Sequence, residues 1–549
     1  MPAAELHANL IHRVNVGDSL TRTAARRPGA VAVVDGDRRF SYAELNAWVN
    51  RVAHGLAARG YRRGDSLALA SGNSAEFLVT YYACAKLGVV CVPLNLGWRP
   101  DEAAYVLGHS SSRGVVIEAQ LLPALAGAIG QVGTVADVIV APGTGAEGAR
   151  GAGGDGGDGP DGGAGGADLA GRARITFASL GDGAAETEPE VVVGDRDPIT
   201  YLYTSGTTSA PKGVIGNHTA IYLESLTMAM EARFAPDDRF VAMLPMFHTA
   251  QLNCHCTAAL MVGATIYVRR AFSAGDLLRQ IEAERITQIF GLPMMYRQML
   301  DHPAIGTADL SSLRRACYAM APMPDEQLRR CLEVFGCDFY LLFGQTEMSP
   351  TATMFRPEHQ LSHAGAVGTP VVNVQAAIMD ETGRLLPPGE QGEIVYRGPH
   401  TMTGYLDDPE ATERAFAHGW FHSGDVGHFD ADGILWFDDR WKDVIKSGGE
   451  NVASIEVEKA IFAADENVAE VVVVGLPHDH WGEAITAVVV PREGAVLDEQ
   501  KLISEVKRLI DPYKAPKSVV VTDALPRTST GKVQKNVVRD RLAGHYGRS

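Results

Sequence analysis

Apolar and polar positions along this chain follow two periods, and they change over within short distances. Val31–Val34 and Arg39–Phe40 flank an Asp35-Gly36 pair, the pattern of a hairpin with a tight turn. Ser41 with Glu44 three residues on makes a capping box, and Leu45, Val49, Val52 and Leu56 continue at helical spacing. Ser66–Ser71 and Val89–Pro93 read as buried strands around a further helix, so the first part of the chain is α/β in pattern. The longest apolar stretch, Leu78 to Leu94, contains Lys86 and Gly88 and is short for a bilayer span. It reads as a buried helix feeding a buried strand.

Two places break this pattern. From Gly143 to Ala167 the chain is mostly glycine with alanine and aspartate and has no large apolar residue. Such a segment cannot bury enough surface to offset the entropy of ordering it, and it is expected to be a disordered surface loop. The second change falls near Asp439. Beyond it come a helix around Ile455–Phe462, strand-like runs at Val468–Val474 and Ile485–Val490, a helix over Lys501–Ile510, a strand at Val519–Val521 and a basic tail. The expected division is a large multi-subdomain α/β domain over residues 1–439 and a small domain of mixed helices and strands over 440–549.

At 549 residues the chain is too long for one core, which agrees with that division. Its 46% hydrophobic and 21% charged residues are ordinary globular composition. The 49 basic and 66 acidic residues give a net charge of −17, which argues against a nucleic-acid partner. A nucleotide ligand needs only local positive charge and backbone N–H groups, so it stays allowed. Seven cysteines make no disulfide framework, and Cys254-His255-Cys256 lacks the second ligand pair of a zinc site. The opening residues show no basic region followed by an apolar run, so the expectation is a soluble, cytoplasmic protein without a membrane span.

Candidate chemistry begins after the alternating run Ile199–Tyr203, with Thr204-Ser-Gly-Thr-Thr-Ser-Ala-Pro-Lys212-Gly-Val. Small hydroxyl residues around Gly206 let N–H and O–H groups converge on phosphate oxygens, and Lys212 adds a point charge. The spacing is not that of a P-loop NTPase. Alone, the segment reads equally well as a Ser/Thr-rich turn.

Other motifs follow in order: Pro245-Met-Phe-His248-Thr, Ala321-Pro322, Phe343-Gly-Gln-Thr-Glu347, Gly419-Trp-Phe-His-Ser-Gly-Asp425, Asp439-Arg440-Trp-Lys442-Asp443, Ser447-Gly-Gly-Glu-Asn451 and Pro526-Arg-Thr-Ser-Thr-Gly-Lys532. Together with the Thr204 loop they resemble the adenylate-forming superfamily of acyl-CoA synthetases, peptide-synthetase adenylation domains and luciferases. The resemblance runs over roughly residues 20 to 540. One departure is Ser209-Ala210, where members usually carry a glycine.

The resemblance implies a large N-terminal AMP-binding domain and a small, mobile C-terminal α+β domain. It assigns Thr204, Ser205, Gly206, Thr207, Thr208 and Lys212 to the ATP phosphates, with Thr204 among the catalytic residues. Glu347 becomes the Mg²⁺ ligand, a hard oxygen donor beside phosphate oxygens. Thr346 goes to the α-phosphate, the stretch around Ala321 and Pro322 with Phe343 and Gly344 to the adenine slot, Gln345 to the nucleotide site, Asp425 to the ribose and Arg440 to a ribose or phosphate contact. Lys532 is the expected catalytic cation, because bringing a carboxylate onto an α-phosphate needs positive charge between them. Lys442 is the implied hinge between two orientations of the small domain. Lys446, Ser447, Gly448 and Gly449 would face coenzyme A, with the two glycines leaving room for a pantetheine arm.

Phe247, His248, Thr249, Ala250 and Asn253 match the region that shapes the acyl pocket, and their small or apolar character suits a fatty, aryl or bulky acid. A core histidine is the plainer use of His248. No carrier domain follows Lys532, which favours coenzyme A as acceptor. The expected function is therefore an acyl-CoA synthetase acting on a hydrophobic carboxylic acid, with ATP, Mg²⁺ and coenzyme A, and a homodimer as an allowed assembly. The alternatives are an acyl-AMP ligase that loads a carrier protein, a luciferase-like oxygenase and a nucleotide-sensing pseudoenzyme.

Overall fold

The structure is a computed structural model; it describes residues 3–143, 169, 171–204, 211–320, 323–527 and 533–547. The glycine-rich segment read as disordered thus lies, but for Gly143, outside the described residues. Contacts divide the chain into two compact units. One gathers the chain up to Gln375 together with Arg397–Arg414, and the other gathers Ala376–Tyr396 with Ala415–Ser549.

The first unit is built on two sheets. Seven strands run in the order Ala173–Thr176, Asp137–Ala141, Gly114–Glu118, Ser66–Ala70, Val90–Pro93, Pro198–Thr204 and Lys212–Asn217. All neighbours are parallel except the last pair. The second sheet has nine strands, running from Thr369–Pro370 through Asp338–Gly344, Arg315–Ala319, Gln288–Gly291 and Arg239–Ala242 to the hairpin Val31–Asp35 and Arg38–Ser41.

Local chemistry sets the elements. Ser41 and Glu44 form the expected capping box of the helix Tyr42–Ala58, and Leu45, Val49, Val52 and Leu56 are buried. Leu78 to Leu94 is a fully buried helix, Ala75–Leu87, turned by Gly88 at φ 69° into the strand Val90–Pro93. Lys86 inside that helix donates to Asn46, Asn50 and Glu188, which is how a lysine survives in a core.

The second unit also holds two sheets. Five strands follow the order Leu385–Leu386, Gln375–Met379, Gly392–Arg397, Phe421–Phe429 and Leu435–Arg440. The other sheet pairs Glu450–Val452, Ile445–Ser447, Gly482–Pro491 and Val468–His478, with Ser518–Val521 alongside Gly482–Pro491. The helices Ser454–Ala464 and Glu499–Leu509 cover it, so every element expected beyond Asp439 is present, the two long strands extending further. The sequence boundary at Asp439 falls at the junction of these two sheets. There Asp439 accepts from the backbone N–H (2.5 Å) and hydroxyl (2.6 Å) of Ser454, and Asp443 takes a 2.7 Å bond from Arg539.

Candidate active site

In the first unit the phosphate-loop candidates are held by a hairpin. Pro198–Thr204 runs antiparallel to Lys212–Asn217 with Thr204 directly opposite Lys212, so a hydroxyl and an ammonium flank one loop mouth. Ser205, Gly206, Thr207 and Thr208 between them lie outside the described residues. The Lys212 Nζ sits 4.8 Å from the centroid of the Tyr405 ring. The Tyr405 hydroxyl in turn donates to Glu347 Oε1 at 2.9 Å. Burial, with Glu347 adding to it, raises the tyrosine pKa, so the hydroxyl keeps its proton and stays a donor. Tyr405 was not singled out from the sequence; Gly404-Tyr405 lies 58 residues from Glu347, and only the fold joins them.

Glu347 is positioned by backbone. Gly344 ends the strand Asp338–Gly344 at φ 152°, where a Cβ would stand 2.1 Å from the Pro350 carbonyl oxygen, so only glycine fits. Gln345 then donates to the Pro350 carbonyl, and Thr346–Met348 forms a short 3₁₀ turn that presents Thr346 and Glu347. The Met402 N–H donates to the Glu347 carbonyl at 2.7 Å. Phe343 and Gly344 end a strand parallel to Arg315–Ala319, which leads to Ala321 and Pro322 outside the described residues. Carboxyl ends of neighbouring parallel strands are the usual place for a ligand in α/β folds.

The acyl-pocket candidates gather on one segment. Phe247 and His248 are half-buried just before the π-helix Ala250–Cys256, a widened turn of the kind found at functional sites. Thr249 and Asn253 are buried, and the Asn253 amide is held by the Thr249 and Tyr81 hydroxyls. Asn253 therefore braces the segment, while Phe247, His248 and Ala250 are its less buried members. His255 on the same segment stacks between Phe240 and Phe290 at 5.3 and 4.3 Å, and burial lowers its pKa to about 4. Burial also pushes the Cys256 thiol up to about 12. Cys254-His255-Cys256 is a core segment by its surroundings.

The second unit holds the ribose, hinge and coenzyme A candidates. Asp425 on Phe421–Phe429 pairs in register with Arg440 on Leu435–Arg440, and Arg440 Nε lies 2.6 Å from Asp425 Oδ1. Asp425 is 2% exposed against 39% for the arginine, so the carboxylate is buried and its cation reaches outward. Glu393, also missed from the sequence, accepts from the Gly424 N–H at 2.9 Å and fixes the turn in front of Asp425. Loss of solvation lowers the Lys442 pKa, with Arg440 and Arg539 adding to the effect and Asp443 opposing it.

Gly448 and Gly449 form the two-residue turn of a hairpin in which Ser447 pairs with Glu450. Their φ values are 65° and 90°, as a tight hairpin turn requires. Lys446, Gly448, Gly449, Asn451, His480, Trp481 and Gly482 line an open cleft of about 610 Å³, and Ser447 beside it is buried. A Cβ on Gly448 would meet Trp481 at 3.3 Å, whereas one on Gly449 would meet nothing within 4 Å. Lys532 lies outside the described residues; Arg527 and Val533 on either side of its segment are bridged antiparallel.

The decisive comparison is with family models. Residues 20–406 match the AMP-binding enzyme model, and residues 456–532 match the AMP-binding enzyme C-terminal domain. The chain belongs to the AMP-binding enzyme family. It is 36% identical over 530 residues to a feruloyl-CoA synthase of an Amycolatopsis species, covering 96% of this chain and 99% of that one. It is 31% identical to the fatty acid–[acyl-carrier-protein] ligase ScoC of Streptomyces coeruleorubidus, with 96% of both chains covered. Among solved structures, ATP-bound MatB from Rhodopseudomonas palustris matches with a TM-score of 0.85 and 30% identity, covering 97% of the ligase and all of MatB. The mixed α/β architecture and the class of AMP-forming acid–CoA ligase follow from these matches. No helix among the described residues is long and apolar enough to cross a membrane.

Proposed function

We propose that this ligase converts a hydrophobic carboxylic acid into its acyl-AMP with ATP and then passes the acyl group to coenzyme A. In the first step a carboxylate oxygen attacks the α-phosphorus and pyrophosphate leaves. In the second the coenzyme A sulfur attacks the acyl carbonyl, AMP leaves, and the thiol proton is lost to solvent. The observation that carries this reading is the alignment of Lys212, Tyr405 and Glu347 beside the Thr204–Lys212 hairpin.

Glu347 fits a Mg²⁺ ion bound jointly with ATP. Tyr405 engages one carboxylate oxygen, and no cluster of three or more acidic, histidine or cysteine side chains among the described residues offers a protein-only cage. One carboxylate plus phosphate oxygens is the arrangement Mg²⁺ favours. When bound, the ion would neutralise charge on the leaving pyrophosphate. Lys212 and the Thr204 loop hold the phosphates, Phe343 and Gly344 flank the adenine, and Asp425 accepts from ribose hydroxyls. Lys532 supplies charge during adenylation, and the 440–549 domain pivots at Lys442 so that the Lys446–Gly449 turn serves thioester formation.

A pyrophosphate-release assay across short, long, aryl and polycyclic acids tests the first half. Release with none of them overturns the reading. Product mass with coenzyme A present and absent tests the second half. The carrier-protein reading is kept because a relative is named as a carrier-protein ligase; acyl transfer to a phosphopantetheinylated carrier but not to coenzyme A would replace the first reading by this one.

A further inference from the structure

Where the strands Gly392–Arg397 and Phe421–Phe429 pair, Glu393 faces Val426 and Val395 faces His422, so Ser423, Gly424 and Asp425 stand against Ile394 alone. The extra residues lift out of the ladder as a bulge, and a bulge re-aims the side chains it carries. Asp425, the ribose candidate, is the last of the three. Backbone that has left its ladder needs other partners to fix its course.

Those partners are present on both sides. The Ser423 hydroxyl donates to the Ile394 carbonyl at 2.5 Å and accepts from the Asp425 N–H at 3.0 Å. Gly424, at φ 69°, accepts at its carbonyl from the Trp441 N–H at 2.9 Å, one residue before Lys442. The Gly424 N–H donates to Glu393 Oε1, also at 2.9 Å. The other oxygen, Glu393 Oε2, lies 2.7 Å from His422 Nδ1, and His422 Nε2 lies 3.0 Å from the Ala417 carbonyl. The imidazole is held at both nitrogens, so it braces the carboxylate against Gly424. Glu393 and His422 are half-buried, and an ion pair in that setting adds little to stability. Its geometry is directed at the bulge instead, with one carboxylate oxygen on the brace and the other on the turn before Asp425.

We propose that Glu393, braced by His422, is a positioning residue for nucleotide recognition: it sets the direction of the Asp425 carboxylate, and with it the preference for a sugar with free 2′- and 3′-hydroxyls. This rests on the assignment of Asp425 to the ribose. Reach and shape are then what Glu393 contributes, and charge is secondary. A glutamine there can accept from the Gly424 N–H through its oxygen and donate to His422 Nδ1 through its nitrogen, with the ring proton on Nε2 toward Ala417. An aspartate keeps the charge but is one methylene too short to hold Gly424 and His422 together.

The test is calorimetric binding of AMP and of 2′,3′-dideoxy-AMP to the full-length enzyme, which needs no acid. In the wild type the dideoxy nucleotide should bind about tenfold or more weakly. Glu393→Asp should bring that ratio down to about threefold or less, whereas Glu393→Gln should keep it within about twofold of the wild type. Adding Glu393→Asp to Asp425→Asn should lower the ratio no further than Asp425→Asn alone, because the two act through one contact. A ratio kept by Glu393→Asp and lost in Glu393→Gln would make the carboxylate an electrostatic element and overturn the proposal. A ratio unmoved in both variants, with only the denaturation midpoint lowered, would make it a structural one and overturn the proposal equally. A wild-type ratio near one, or a ratio that Asp425→Asn leaves unchanged, overturns the ribose assignment and takes the proposal with it, which is a separate result.

Discussion

The two carboxylates assigned to the nucleotide are held in opposite ways. Glu347, in the first unit, is engaged by the neutral hydroxyl of Tyr405, with Lys212 over that ring. Asp425, in the second, is buried and already ion-paired with Arg440 at 2.6 Å. A carboxylate held by a neutral donor keeps its charge for a cation that comes with the ligand. A carboxylate already neutralised makes a poor metal ligand but still accepts hydrogen bonds from sugar hydroxyls through its remaining lone pairs. Two acidic residues that look alike in sequence are thus suited to different tasks by their partners.

The strongest way to break this contrast is Lys532→Ala. It asks whether the second unit contributes net charge to the chemistry, as Asp425 paired with Arg440 does not. Adenylation, followed by pyrophosphate release, should fall by about 10² or more if Lys532 stabilises the transition state. Thioester formation from a supplied acyl-adenylate should be largely spared. Equal loss of both steps would show that the lysine serves the fold and not one half-reaction.

Glu347→Gln and Asp425→Asn come next, measured side by side. Glu347→Gln removes the charge proposed for the cation, so adenylation should drop by about tenfold to a hundredfold and need more Mg²⁺ for half-saturation. Asp425→Asn keeps an acceptor, so the expected change is a rise in the ATP KM of about tenfold with the Mg²⁺ dependence unmoved. A Mg²⁺ shift in the Asp425 variant, or none in the Glu347 variant, would reverse the assignment.

Much of this was readable before any fold was known, and the part that was not has a common cause. Capping boxes, tight turns and alternating strands are set within four or five residues, which is why the Ser41 cap and the Asp35-Gly36 hairpin appear where the sequence places them. Tyr405 and Glu393 were invisible because each acts on a residue about thirty to sixty positions away. Gly448 and Gly449 teach something different. They were read as making room for pantetheine, but positive φ at both positions of a two-residue turn demands glycine whether or not anything passes beside it. Their identity therefore no longer argues for coenzyme A.

Arg440→Ala is a milder probe than either carboxylate change. It leaves the buried Asp425 charge without its ion pair, and with the arginine 39% exposed the loss should be about 1–2 kcal/mol, seen as a lower midpoint of chemical denaturation. Adding AMP should recover part of that loss, because a ligand that binds only the folded state stabilises it by mass action. An unchanged midpoint would mean that water solvates Asp425 as well as Arg440 does, and its contrast with Glu347 would then be weaker than the geometry suggests.

The smallest effect sharpens the comparison most, because it leaves both carboxylates in place. Tyr405→Phe removes one neutral hydrogen bond to Glu347 and keeps the ring under Lys212. A neutral donor to a carboxylate contributes about 1–2 kcal/mol, which sets a ceiling of roughly thirtyfold on adenylation. If the tyrosine only orients Glu347, kcat should fall by about twofold to fivefold while the Mg²⁺ requirement stays put, since the carboxylate retains its charge. If the hydroxyl instead competes with the cation for that oxygen, the variant should need less Mg²⁺ than the wild type. The sign of the Mg²⁺ shift, more than the size of the rate change, separates a positioning tyrosine from a competing one.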